Sequence, residues 1–275
     1  MDLYAQVSQQ ASRQLTEAYS TSFSSATKLF DATTRRAIYN IYGLVRVADE
    51  VVDTYQGSDA NGILNDLEAE TYAAIKRGFS ANIIVNAFCI TAREYHITEQ
   101  LIHPFFDSMR MDIHQKTFNQ KDYNTYIYGS AEVVGLMCLK VFVRGDSKQY
   151  AHLQKGAAAL GAAFQKVNFL RDIKDDYQTR GRYYFPHGNF EMFNEDDKKL
   201  IIADIIKDFE QAKPAIDELP LHIRPAVRLA YQYYYKLLDA LQATPATQIA
   251  QRRIRVSNAT KASLLIKTKV GWHEH

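Results

Sequence analysis

The run from Leu160 to Pro186, LGAAFQKVNFLRDIKDDYQTRGRYYFP, constrains this chain more than any other stretch. Leu160, Phe164, Val167 and Leu170 recur at helical spacing, so the segment reads as a helix. Gly181, with Pro186 soon after, marks its end. Gln165, Asn168, Asp172 and Asp176 fall on one face of that helix, which aligns two amide side chains with two carboxylates. Like charges at i, i+4 repel by about 0.2–0.5 kcal/mol on an isolated helix. They also sit near the negative end of the helix dipole. An arrangement unfavourable on both counts calls for a cation. Hard oxygen donors with open coordination suit Mg²⁺ shared with phosphates.

The spacing recurs upstream in Arg46-Val47-Ala48-Asp49-Glu50-Val51-Val52-Asp53. Asp49 and Asp53 form another i, i+4 pair, with Arg46 one turn before them and Tyr42 one turn before Arg46. Two helices that each offer Asp-x-x-x-Asp would face one another across a cavity, hold a cluster of Mg²⁺ ions and, through them, a diphosphate. A single acidic pair is more often an ordinary solvated helix face. The joint pattern, with amides and arginines in phase, is much more specific.

Four stretches resemble the squalene/phytoene synthase family, the head-to-head prenyl transferases: Tyr19 to Phe23, Arg46 to Asp53, Tyr126 to Gly135, and Gly161 to Pro186. The last matches the family's Gly-x3-Gln-x2-Asn-x2-Arg-Asp run and its closing Arg-x-Tyr-x-Pro, here Arg182 to Pro186. The chain departs from the pattern at Ile127 and Glu132, where the family usually has small residues, and at Thr21, where some members carry a lysine on the diphosphate. The resemblance implies an all-α, single-domain helical bundle of the isoprenoid-synthase type over residues 1–275, with a central cavity. It implies Asp49, Asp53, Asn168, Asp172 and Asp176 as metal ligands, and Tyr42 beside the four aspartates in the chemistry. Ser20, Thr21, Ser22, Arg46, Tyr128, Gln165, Arg171 and Arg253 are the residues expected on the prenyl diphosphate substrate. The expected cofactor is Mg²⁺, with Mn²⁺ as the alternative ion.

The reaction implied is condensation of two prenyl diphosphates through a cyclopropyl diphosphate. Squalene-type members finish with hydride from a reduced nicotinamide; phytoene-type members finish by losing a proton, and no NADPH is expected here. Small residues at Ser24, Ser25, Ala26 and Thr27 favour the longer geranylgeranyl donor and a phytoene product of carotenoid biosynthesis. A dehydrosqualene or squalene synthase using farnesyl diphosphate is the alternative. A catalytically silent helical assembly factor is the rival from another class, and it ought to have lost one of the four aspartates.

The rest of the chain sets bounds. A 47% hydrophobic content is ample for a core, and a net charge of +2 implies no nucleic-acid partner. Cys89 and Cys138 lie in apolar helical runs and suit buried thiols in a reducing compartment. The start, MDLYAQVSQQ, lacks the pattern of a signal peptide, and no apolar run reaches the ~18–20 residues that cross a bilayer. A cytoplasmic location is expected. The tail Gln251 to His275 carries a net charge of +5 and reads as a solvated helix, an arm closing over diphosphate, or a peripheral contact with anionic lipid. His96, His103 and His114 show no ligand-like pairing, and no GxGxxG or P-loop indicates a nucleotide.

Helices are expected over Leu3 to Tyr19, Thr33 to Tyr55, Ile63 to Gly78, Ala81 to Tyr95, Thr98 to Gln115, Asp122 to Val143, Ser147 into the central stretch, Glu195 to Ala212 and Ala226 to Leu241. Ser20 to Ser25 reads as a turn whose hydroxyls cap the next helix or receive phosphate. Tyr128, Ala131, Gly135 and Leu139 are expected on one helix face beside the cavity, with Glu132 pointing outward or paired with a base near the mouth.

Overall fold

A computed structural model describes residues 2–186 and 188–271, with backbone only at residues 21, 22 and 269–271. The fold is all-α. Its longest element, α9, runs over Ser147–Arg180, about 50 Å at the standard rise. Asp146 starts it by accepting from the amides of Lys148 and Gln149. Gly181 stops it in the left-handed conformation, with φ of 67°.

The elements before it are α1 (Leu3–Tyr19), α2 (Thr21–Thr27), α3 (Ala32–Asp53), α4 (Ala60–Arg77), α5 (Ile83–Glu94), α6 (Glu99–His114), α7 (Gln120–Ile127) and α8 (Val133–Phe142). After it come α10 (Glu195–Asp217), α11 (Arg224–Ala243), α12 (Ala246–Ile249) and α13 (Asn258–Gly271). Among the described residues no strand forms; a lone bridge pairs Thr117 with Tyr183. There the Tyr183 amide donates to the Lys116 carbonyl at 2.9 Å, which ties the segment after α9 to the end of α6.

Three differences from the sequence expectations have physical causes. The hydroxyl-rich Ser20 to Ser25 stretch is mostly helical as α2: Ser20 turns back to cap it, accepting from the Phe23 amide at 3.3 Å. The helix expected over Asp122 to Val143 is interrupted by a π-helical turn, Tyr128–Glu132. The helix begun at Glu195 passes through Pro214 to Asp217. Burial of Ala212 and Ile216 outweighs the hydrogen bond that proline forfeits.

Close backbone packing brings α8 and the π turn against α9. A Cβ on Gly135 would lie 2.6 Å from the Ala157 carbonyl oxygen, and one on Gly161 would lie 2.4 Å from that of Ala131. Two apolar clusters flank the space between these helices. One gathers Ile38, Ile41, Leu139 and Leu153; the other gathers Tyr126, Phe169, Tyr184 and Leu237. Members of both clusters line a cavity of about 1150 Å³ between them. Cys89 and Cys138 are free thiols; Cys89 is buried, and Cys138 borders the cavity.

Candidate active site

The two aspartate motifs meet at the mouth of this cavity. Arg180 donates from Nη1 to Asp176 Oδ1 at 2.9 Å, and its Nε lies 3.0 Å from Asp53 Oδ1. One guanidinium therefore spans from the end of α9 to the end of α3. Arg182 approaches Asp53 from the other side, with Nη1 3.0 Å from Oδ1. Asp172 is gripped by two forks. Arg171 donates to it at 2.9 and 2.5 Å, while Arg253 lies at 2.8 Å through Nε and donates at 3.1 Å through Nη2. Such bidentate pairs recognise carboxylate and phosphate with the same geometry.

Burial sets the electrostatics. Asp49 lies 3.8 Å from Arg46, yet loss of water around it, with Asp53 and Asp112 nearby, pushes its carboxyl up to about 7. Asp176 is pushed up to about 7 by the same loss of water and by the Asp172 charge. Arg46 is held by Glu50, by Asp49, and by the Tyr19 ring 4.3 Å beneath its guanidinium carbon. The site is a set of half-buried acids compensated by arginines.

The remaining residues singled out from the sequence are distributed as follows. Tyr42 lines the cavity, stacked on Phe23 at 5.3 Å, and burial pushes its hydroxyl up to about 12. Gln165 and Asn168 line it too, and among the described residues Asn168 Oδ1 is buried without a hydrogen-bond partner. Ser20 borders it while capping α2. The side chains of Thr21 and Ser22 lie outside the described residues.

Tyr128 departs from expectation: it is 41% exposed and does not border the cavity. The π turn is the cause, because its wider winding moves the cavity face back from Ala131 to Tyr126. Glu132 is half-buried beside Lys166 and Asp208, and burial pushes its carboxyl up. Lys166 lies on α9 next to Gln165, bound to Asp204 at 2.6 Å and Asp208 at 2.8 Å.

Sequence reasoning gave no role to Glu50, Asp112, Tyr126, Arg180 or Tyr184. Asp112 accepts hydrogen bonds from Tyr126 Oη at 2.6 Å and Tyr184 Oη at 2.8 Å. Its signal was available: Asp112 stands between Met111 and Ile113 and follows Phe105 and Met109 at helical spacing, and an acid on such an apolar face needs buried partners. Arg182 and Tyr184 stood inside the Arg-x-Tyr-x-Pro run without an assigned contact.

The donors fit a divalent cation shared with a phosphate ligand. They are all hard oxygens, two of the acids are pushed towards neutrality by loss of water and by neighbouring acids, and Asn168 Oδ1 is unused. Among the described residues no three acids, histidines or cysteines gather into a ready cage.

The fold is thus an all-α bundle of the isoprenoid-synthase type, with facing aspartate motifs and arginine forks at the mouth of a deep apolar cavity. The family profile described as Squalene/phytoene synthase matches residues 16–260, and the chain belongs to that family. It is 30% identical over 196 residues to a 4,4'-diapophytoene synthase of Staphylococcus haemolyticus, covering 70% of this chain and 66% of that protein. It is 28% identical to a 15-cis-phytoene synthase of Synechococcus elongatus, covering 84% and 82%. Against Phytoene synthase 3 of Zea mays, at 27% identity, 85% of this chain covers 59% of the longer plant protein. The chain thus spans less than two thirds of the staphylococcal and maize relatives, 66% of one and 59% of the other. The fold is shared with a dehydrosqualene synthase crystal structure at a TM-score of 0.83, with 19% identity and 98% of each chain covered.

Proposed function

We propose that the chain condenses two prenyl diphosphates head to head, that the donor is geranylgeranyl diphosphate, and that the product is phytoene, made in carotenoid biosynthesis. The observation that carries the reading is Arg180 spanning Asp53 and Asp176 at the mouth of an apolar cavity. In this reading Asp49 and Asp53 hold Mg²⁺ from one side, and Asn168, Asp172 and Asp176 hold it from the other. When bound, the metal supplies Lewis-acid stabilisation of the departing diphosphate. Arg46, Arg171 and Arg253 stabilise the charge that leaves with it, the last two by turning their forks from Asp172 to phosphate. The apolar walls keep water from the allylic cation, and the rings of Phe164 and Tyr234, stacked at 4.0 Å, border it.

Chain length follows from depth. Cavity-lining positions extend along α9 from Asp172 to Leu153, about 28 Å. An extended chain advances about 1.2 Å per bond, so the twenty-carbon donor needs about 18 Å and the fifteen-carbon donor about 13 Å. Tyr39 does not narrow the passage: it is buried behind Thr27, whose hydroxyl lies 3.3 Å from its own. The similarity to a 4,4'-diapophytoene synthase supports the farnesyl reading as the second one. A silent assembly factor is disfavoured by the presence of all four aspartates at the mouth. We also propose a peripheral membrane contact through the basic tail; among the described residues no helix is long and apolar enough to cross a bilayer.

The test is incubation of the purified chain with Mg²⁺ and each donor, without nicotinamide. Forty-carbon hydrocarbon from geranylgeranyl diphosphate supports the reading. Exclusive thirty-carbon product selects the farnesyl alternative, and no condensation with either donor refutes both.

A further inference from the structure

Six carboxylates border the cavity among the described residues, and five of them belong to the two motif stretches: Asp49, Asp53, Asp172, Asp175 and Asp176. The sixth, Asp112, comes from α6 and has different surroundings. Its oxygens accept from two phenols, Tyr126 Oη and Tyr184 Oη, and its backbone carbonyl accepts from Arg182 Nε at 3.0 Å. Both tyrosines also border the cavity. Their rings lie 5.0 Å apart, and Tyr184 stacks on Phe169 at 3.9 Å, so the phenols are held rigidly between the carboxylate and the apolar space. The charge on Asp112 is only distantly compensated, since Arg182 Nη1 is 3.9 Å away and committed to Asp53 at 3.0 Å.

A reaction that ends without hydride must discharge its last carbocation by releasing a proton into a cavity that excludes water. The acceptor has to be a base not already engaged with metal and diphosphate. We propose that Asp112 is the final acceptor of this proton, delivered through the phenol of Tyr126 or Tyr184. In this step a C–H bond next to the cationic carbon breaks and its electron pair becomes the second bond of the central C=C. The proton passes to a tyrosine oxygen as the phenolic proton moves along the existing hydrogen bond to Asp112, where an O–H bond forms. Cation and carboxylate become neutral alkene and neutral acid, and the acid resets by giving its proton to the departing diphosphate. Burial favours the neutral acid: loss of water pushes the Asp112 carboxyl up to about 6. Positioned proton transfer of this kind contributes about 10²–10⁴-fold.

This inference rests on the phytoene-type reading, so the wild-type chain must first make hydrocarbon from geranylgeranyl diphosphate; if it makes none, that reading fails rather than this one. The experiment is Asp112→Asn with the same donor and Mg²⁺. We expect hydrocarbon to fall by about 100-fold or more, while cyclopropyl diphosphate formation and the affinity for Mg²⁺–pyrophosphate stay near wild type. The missing product should appear as cyclopropyl diphosphate or rearranged alcohols. Donor deuterated at C1 should show a larger isotope effect on hydrocarbon formation in the variant than in the wild type. Equal loss of both half-reactions would assign Asp112 a structural role and overturn the proposal, as would undiminished hydrocarbon. If Asp112→Asn does not fold, the double variant Tyr126→Phe/Tyr184→Phe leaves the carboxylate in place and severs both relays. The same shift in products is expected from it, and unchanged products would overturn the proposal.

Discussion

Replacing Ala26 by Phe should convert a forty-carbon enzyme into a thirty-carbon one. Ala26 and Thr27 are 3% and 1% exposed and border the cavity, and Ala26 packs with Leu229 and Tyr233. The substitution adds a six-carbon ring to the wall, one carbon more than the isoprene unit that separates the two donors. Burying that unit contributes about 0.8 kcal/mol per methylene, or about 4 kcal/mol in all. Such area-type estimates are upper bounds. At 1.4 kcal/mol per tenfold, this corresponds to a preference for the longer donor of about 10³ at most. In the variant that contribution disappears and is replaced by a clash, whereas farnesyl diphosphate stops short of the ring. Thr27→Phe should act similarly but with more loss of stability, because the Thr27 hydroxyl donates to the Ser24 carbonyl at 2.9 Å and meets the Tyr39 hydroxyl. The assay is competition between the two donors at equal concentration, reading the ratio of thirty- to forty-carbon hydrocarbon. An unchanged ratio in a folded Ala26→Phe variant would refute this account of the pocket.

Asp49→Ala or Asp172→Ala should abolish turnover; Asp49→Ala should do so without lowering the melting temperature, since loss of water and nearby acids already push that carboxyl up, whereas Asp172→Ala also leaves Arg171 and Arg253 without their carboxylate; normal turnover in either, or in excess chelator, would contradict the metal assignment. Arg171→Lys should cut kcat/KM by about tenfold or more, because the fork proposed to turn from Asp172 to phosphate is lost, and silent kinetics would mean that it serves only that carboxylate. Arg180→Gln should raise the Mg²⁺ concentration needed for half-maximal rate, or lower it if the guanidinium merely holds the metal's place between Asp53 and Asp176; no change in either direction would deny it any part in the cluster. Neutralising Arg252 and Arg255, which flank Arg253 without gripping Asp172, should abolish salt-sensitive binding to vesicles of anionic lipid; equal binding by that variant would remove the membrane proposal.

The legible parts of this protein were those governed by local periodicity. The long central helix declared itself through Leu160, Phe164, Val167 and Leu170 and ends at Gly181, as read from the sequence. Helix α1 has the bounds Leu3–Tyr19 that its pattern gave. The convergence of the two motifs was foreseen because paired acids on a single face carry an electrostatic cost that only a shared partner offsets. What escaped is what depends on contacts distant in sequence. Asp112 and Tyr184 are 72 positions apart, and the hydrogen bond joining them follows from the bridge between Thr117 and Tyr183. Arg182 reaches Asp53 across 129 positions.

Tyr128 shows the limit of periodicity most directly. Its spacing to Ala131 and Gly135 places it on the cavity face of any regular α-helix. One π turn, which leaves little mark in side-chain pattern, exchanges it for Tyr126. The exchange has a chemical consequence: Tyr128 is left 41% exposed, whereas Tyr126 is fixed to a buried carboxylate, and loss of water together with that charge pushes its hydroxyl well above the ordinary tyrosine range. Glu132, which closes the same turn, has its carboxylate among the charges of Lys166 and Asp208 rather than in the hydrocarbon space. The unusual residue of the motif and the unusual turn therefore belong together. The wider winding turns Glu132 away from the cavity and Tyr126 into it, so that the acid tolerated at a normally small position and the phenol presented to substrate are two results of one backbone feature.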